Sequence, residues 1–194
     1  LLCRMERDAA FETAIVVTPS LTLDRHLRRL EQETTKAYFE GRGGASPVLT
    51  TSAELTDFDP DIVFLTNPHN LSHSAFYDRL FKYKLCCYVP YTHGVDKYND
   101  YQAQYNQPFH NAMWRIFAPH DVAKQIYQSV SCKKGRNVVV TGYPACEPLL
   151  DCSPIAASAW KVQERQKLKV IWAPHHTIES SELPYANFLR YADD

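Results

Sequence analysis

No stretch of this chain is apolar for anything near the roughly 20 residues that cross a bilayer, so no spanning helix is expected. Neither sign of charge dominates: 21 Lys and Arg stand against 22 Asp and Glu. A general nucleic-acid binder carries a basic excess, so nucleic acid is not an expected partner. No C-x-x-C pair occurs. The six cysteines (Cys3, Cys86, Cys87, Cys132, Cys146 and Cys152) are too scattered for a zinc site, and a metal is not expected. A chain of this size does not need a disulfide framework, so they read as reduced thiols of a cytosolic protein. The opening LLCRMERDAAFE is charged within four residues, unlike a signal peptide. It lacks an initiator Met and reads as the tail of a helix, and the closing ANFLRYADD reads as another. A piece of a longer protein is therefore expected.

Several chemical fingerprints are missing too. There is no Walker A loop, no G-x-G-x-x-G after a first strand, no G-x-S-x-G elbow and no H-E-x-x-H. The GRGG at 41–44 follows a helical pattern rather than a strand, so it reads as a turn.

What is present is a series of short apolar runs: TAIVVTP (13–19), DIVFLTNP (61–68), KLCCYVPY (84–91), WRIFAP (114–119), NVVVTGYP (137–144) and LKVIWAP (168–174). Continuous apolar runs of this length suit strands buried on both faces of a parallel sheet. Cys86 and Cys87, adjacent on one run, should point to opposite faces. Helical patterns lie between. Residues 23–41 space Leu23, Leu27, Leu30, Thr34, Ala37 and Tyr38 at three and four, with Gly41 as a stop. Residues 72–83 present Phe76, Leu80 and Tyr83, and residues 120–131 present Val122, Ile126 and Val130 after a start at Asp121. Strand–helix alternation predicts an α/β fold with a mainly parallel sheet and excludes a sandwich.

Ligands of open parallel sheets bind outside the carboxyl ends of the strands. Those ends read TNPHN, PYTHG, APH, TGYP and APHHT. One edge should therefore collect His69, His73, His93, His120, His175 and His176 with Thr92, Thr141 and Tyr143. Carboxylates there are few, Asp96 and Asp121 at best, which argues against a metal cluster. His69 and His73 read as surface loop residues, and His120 as a residue capping or flanking a helix. His93 stands apart. Gly94 permits a sharp exit from the strand, and a polar, tyrosine-rich segment of about 20 residues follows, long enough to be functional or disordered. Histidine ordinarily titrates near neutral pH and can take a proton from a hydroxyl. The alternative is a loop histidine bonded only to backbone.

THGVDK, VVVTGYP and VIWAPHHT occur in this order. Over roughly residues 60 to 180 the chain resembles the CDP-glycerol glycerophosphotransferases of teichoic-acid and capsule synthesis. These have a His-Gly-Thr-Pro turn with a lysine after it, then Thr-Gly-Tyr-Pro followed by Arg-Asn-Asp, then Tyr-Ala-Pro-Thr. The resemblance implies the N-terminal half of a two-domain GT-B-type enzyme. Residues 1–151 would be a Rossmann-like, three-layer acceptor-side domain lacking its first strand, 152–167 a linker, and 168–194 the start of a donor-binding domain. His93 would be the general base on the acceptor hydroxyl. Thr92, Gly94, Lys97, Thr141, Gly142, Tyr143, Pro144, His175 and His176 would bind substrate. The donor would be CDP-glycerol or another nucleotide-activated group, with no further cofactor. The acceptor would be a polymer or lipid-linked glycan, met by peripheral contact at the cytoplasmic face of the plasma membrane. Three departures stand out: Val95-Asp96 replaces Thr-Pro, Ala145-Cys146-Glu147 replaces Arg-Asn-Asp, and His175-His176 replaces a Thr-Trp pair. A nucleotide-sugar glycosyltransferase of the same architecture and a non-catalytic α/β binding module are the other readings. Residues 1–194 alone are expected to be inactive and prone to associate through exposed apolar surface.

Overall fold

The computed structural model describes residues 1–69, 72–94 and 100–147, which fall within one compact unit, Leu1–Cys152. The predicted strand at 168–174, the linker and the start of a second domain lie outside the described residues.

The chain opens with a short helix, α1 (Leu2–Met5), then β1 (Ile15–Val16), α2 (Arg25–Gly41) and β2 (Val48–Leu49). Next come α3 (Ser52–Phe58), β3 (Ile62–Leu65), a 3₁₀ turn at Ser74–Phe76, α4 (Leu80–Tyr83) and β4 (Leu85–Tyr88). The series closes with α5 (Gln102–Tyr105), α6 (Pro108–Ala112), β5 (Arg115–Ala118), α7 (Asp121–Val130), β6 (Val138–Val140) and a 3₁₀ turn at Pro144–Cys146. β1 and β2 pair in parallel, and β3-β4-β5-β6 form a four-stranded parallel sheet in sequence order. The fold is α/β with parallel sheets. Among the described residues no helix is long and apolar enough to cross a membrane.

Each observed strand is shorter than its apolar run, because the prolines that end the runs cannot donate to a ladder. β4 is buried on both faces, with Cys86 and Cys87 each 1% exposed. Cys86 and Tyr88 enter the main core, with Ile116, Ala118 and Val138 from β5 and β6 and with Leu55, Phe76, Leu80, Phe109, Met113 and Tyr127 from the helices. Cys87 lies on the opposite face, in register with Phe64 of β3, whose ring stacks on Phe117 at 6.3 Å. Alternation along the strand thus separates the two thiols as expected. Burial, followed by its neighbour Cys87, pushes the Cys86 thiol up to about 11, so it stays protonated.

Four expectations need correction. The stripe of Leu27, Leu30 and Tyr38 on α2 is exposed, Tyr38 at 65%. The helix instead turns a polar face inward: Gln32 Nε2 donates to the carbonyls of Val17 and Thr50 at 3.0 and 2.9 Å, tying α2 to the ends of β1 and β2. Residues 72–83 are not one helix but a 3₁₀ turn and a single α-turn, so Phe76 and Leu80 are buried while Tyr83 is 73% exposed. On α7 the start at Asp121 holds and Ile126 and Val130 pack against the core as expected, but Ala123 and Tyr127 are the buried positions and Val122 is 58% exposed.

The fourth correction concerns the long polar loop after His93. Its residues 102–112 form α5 and α6, which deliver Tyr105, Phe109 and His110 to the interior, and Met113 follows. Pro108 starts α6 because its fixed φ and missing N–H suit a first helical position. Asn137 anchors the segment from the next crossover: its Nδ2 donates to the carbonyls of His110 and Met113 at 3.2 and 3.1 Å.

Candidate functional site

The carboxyl ends of β4, β5 and β6 converge. Beyond Val89, whose N–H donates to Leu65 O at 2.9 Å, the backbone leaves β4 in a turn, Tyr91–Gly94. Gly94 has φ +68, where a side chain is strained. The turn exposes Tyr91, Thr92 and His93.

Two rings flank His93. His120, next after β5 and Pro119, has its ring centroid 4.8 Å away at an interplanar angle of 40°. Tyr143, after β6, meets His93 edge-on at 5.7 Å. Both also hold the turn's backbone: His120 Nε2 lies 2.9 Å from His93 O, and the Tyr143 hydroxyl donates to Tyr91 O at 2.7 Å. His120 is at the same time the N-cap of α7, its Nδ1 accepting from Ala123 N–H at 3.1 Å. The capping role expected for it is therefore what the structure shows. Thr141 continues the ladder by donating its N–H to Ala118 O at 3.0 Å. Gly142 takes φ +86, turning the chain so that Tyr143 faces back across the edge and Pro144 opens the last 3₁₀ turn.

Of the residues singled out in the sequence, Thr92, His93, Gly94, Thr141, Gly142, Tyr143 and Pro144 thus sit on two neighbouring turns at one edge. Lys97, His175 and His176 lie outside the described residues. His69 is an exposed loop residue. His73 caps the first 3₁₀ turn, its Nδ1 accepting from Ala75 N–H at 3.1 Å. Among the described residues no three His, Cys, Asp or Glu side chains group as metal ligands would.

A second histidine environment went unread in the sequence. His110 on α6 is 2% exposed, enclosed by the rings of Tyr88, Phe109 and Tyr127 at centroid distances of 5.6, 5.5 and 5.7 Å. Its Nδ1 accepts from Gln107 N–H at 3.2 Å. Burial, assisted by His69, drives its pKa down to about 4, so the ring is neutral at physiological pH. In the sequence it lies within the polar segment after His93, where only Pro108 marks the helix that buries it.

A cavity of about 310 Å³ elsewhere in the unit is lined by none of the edge residues; Glu6, Arg7, Phe39 and Arg42 contribute to it. Glu6 there is held below the ordinary carboxylate range chiefly by the Ser46 hydroxyl, which donates at 2.6 Å. Its carboxylate is thus a structural acceptor.

Fold and site together define a class: an α/β parallel-sheet domain whose carboxyl edge presents a His-His-Tyr cluster. A scan of protein-family models and searches of curated proteins and of solved structures give no match to this chain.

Proposed function

We propose that this chain is the acceptor-side part of a GT-B-type transferase that moves glycerol phosphate from CDP-glycerol to a hydroxyl of a cell-surface polymer or lipid-linked glycan. The observation that carries this reading is the exposed His93 imidazole at the carboxyl edge, beside the turn that bears Tyr143. Among the described residues neither of its ring nitrogens has a hydrogen-bond partner, so a lone pair is free for chemistry. The ordered THG and TGYP turns, which suggested the resemblance, adjoin in space, where open parallel sheets bind ligands.

In this mechanism His93 accepts the proton of the acceptor hydroxyl as its oxygen attacks the β-phosphorus of CDP-glycerol. The bond from that phosphorus to the bridging oxygen breaks, and CMP leaves with the electron pair. The new bond is a phosphodiester between acceptor and glycerol. Thr92 and the Thr141–Pro144 turn line the approach. The departure at Ala145-Cys146-Glu147 removes an arginine that would pair with phosphate, so charge for the donor has to come from other residues. In this reading the transferase works at the cytoplasmic face of the plasma membrane through peripheral contact.

The test is CMP release from CDP-glycerol by the intact protein with a glycerol-phosphate polymer as acceptor. His93→Ala should lower kcat by about 10²–10⁴ without changing the melting temperature. Normal turnover in that variant would remove His93 from the mechanism. Release of a nucleoside diphosphate from a nucleotide sugar instead would assign the edge to glycosyl transfer.

A further inference from the structure

We propose that His120 and Tyr143 form a two-point clamp that positions His93, and that His120 is a positioning residue rather than a second base. This deepens the reading above and rests on it. The turn Tyr91–Gly94 extends beyond the paired part of β4, so sheet hydrogen bonds no longer hold it. Two side chains from the neighbouring strand ends replace them. Tyr143 donates to Tyr91 O at 2.7 Å, and His120 holds His93 O at 2.9 Å. Each grips a carbonyl on a different side of Thr92, and together they fix the Tyr91–Thr92 and His93–Gly94 peptide planes.

The bonds also decide the chemistry of His120. Its Nδ1 accepts a hydrogen bond from Ala123 N–H, so that nitrogen carries a lone pair and no hydrogen. Its Nε2 faces a carbonyl oxygen, which only accepts, so Nε2 carries the hydrogen and donates it. The ring is the neutral Nε2–H tautomer with both nitrogens occupied. No lone pair is left to take a proton from a substrate. Although two imidazoles lie 4.8 Å apart, only His93 can act as base. His120 instead couples the first turn of α7, a rigid ten-residue helix, to the catalytic turn. Misplacing a reacting group by about 1 Å can cost about a hundredfold in rate, which gives the clamp its purpose.

Asparagine separates the two tasks of His120. It is a good N-cap and keeps the bond to Ala123 N–H, but it is too short to bridge to His93 O as well. In the CMP-release assay with the intact protein, His120→Asn should lower kcat by about ten- to a hundredfold with KM and melting temperature held. Tyr143→Phe keeps the ring against His93 and removes only the hydroxyl donor, and should lower kcat by several-fold. A wild-type kcat in His120→Asn, or a loss that tracks a fall in melting temperature, overturns the clamp. A wild-type kcat in His93→Ala overturns the reading beneath it, so the two failures are distinguishable.

Discussion

His93 and His110 are seventeen positions apart, on either side of the same connection between β4 and β5, and their surroundings are opposite. His93 is exposed on a turn, with backbone and rings beside it and, among the described residues, no bond to its own nitrogens. His110 is enclosed by aromatic rings, with Nδ1 engaged by Gln107 N–H and its carbonyl held by Asn137. One is open to solvent at the sheet edge, and the other is part of the packed interior. The difference shows that residue type says little until the segment carrying it is located: a pleated run delivers His93 to an edge, while a short proline-started helix delivers His110 to the core.

The comparison can be broken from the His110 side first. His110→Ala leaves a void among Tyr88, Phe109 and Tyr127 and frees Gln107 N–H. It should cost about 3–4 kcal/mol of folding stability by chemical denaturation. Turnover per folded molecule should remain as in the wild type. A next, somewhat smaller effect comes from acid. The folded-state pKa of His110, about 4, lies below the ordinary histidine value of 6.5, so the unfolded chain binds more protons between these limits. The stability His110 confers is complete above about pH 6.5 and is lost as pH falls toward 4. About 3 kcal/mol is at stake. Denaturation midpoints across that range should slope in the wild type and flatten in His110→Phe, which keeps the ring and removes the titration. Smallest of the three is Gly94→Ala, on the His93 side. Its φ of +68 strains a side chain by about 1–2 kcal/mol. The added methyl sits only 3.5 Å from the Tyr105 hydroxyl, an ordinary contact, so the cost is that of the backbone. Thermal denaturation reads it, with a fall in kcat as the turn shifts.

The sheet was legible in the sequence because its strands are unbroken apolar runs stopped by proline, and the same prolines marked the edge where His93, His120 and Tyr143 meet. Length hid β2: Val48–Leu49 is two residues, too short for any period to show. α3 did carry a signal, since Thr51 and Glu54 form a capping box, Thr51 Oγ1 accepting from Glu54 N–H at 3.2 Å while Glu54 Oε2 takes Thr51 N–H at 2.9 Å. The α2 stripe misled for a different reason. Its inward face is won by Gln32, whose amide satisfies two strand-end carbonyls, a gain that hydrophobic spacing does not register. The segment 102–113 read as polar because its buried aromatic residues are scattered between Asn and Gln. Only the first-turn Pro108 hinted at a helix. Of the candidate edge, His93 and Tyr143 were visible from the ends of their strands. The bond from His120 to His93 O spans 27 residues and follows from no local pattern.

The contrast between the two histidines is tested most directly by acylating the folded protein with diethyl pyrocarbonate at neutral pH and following each histidine by mass spectrometry. The account expects His93 to be modified rapidly and His110 to stay protected until the protein unfolds. Labelling of His110 as fast as His93, or a protected His93, would contradict it.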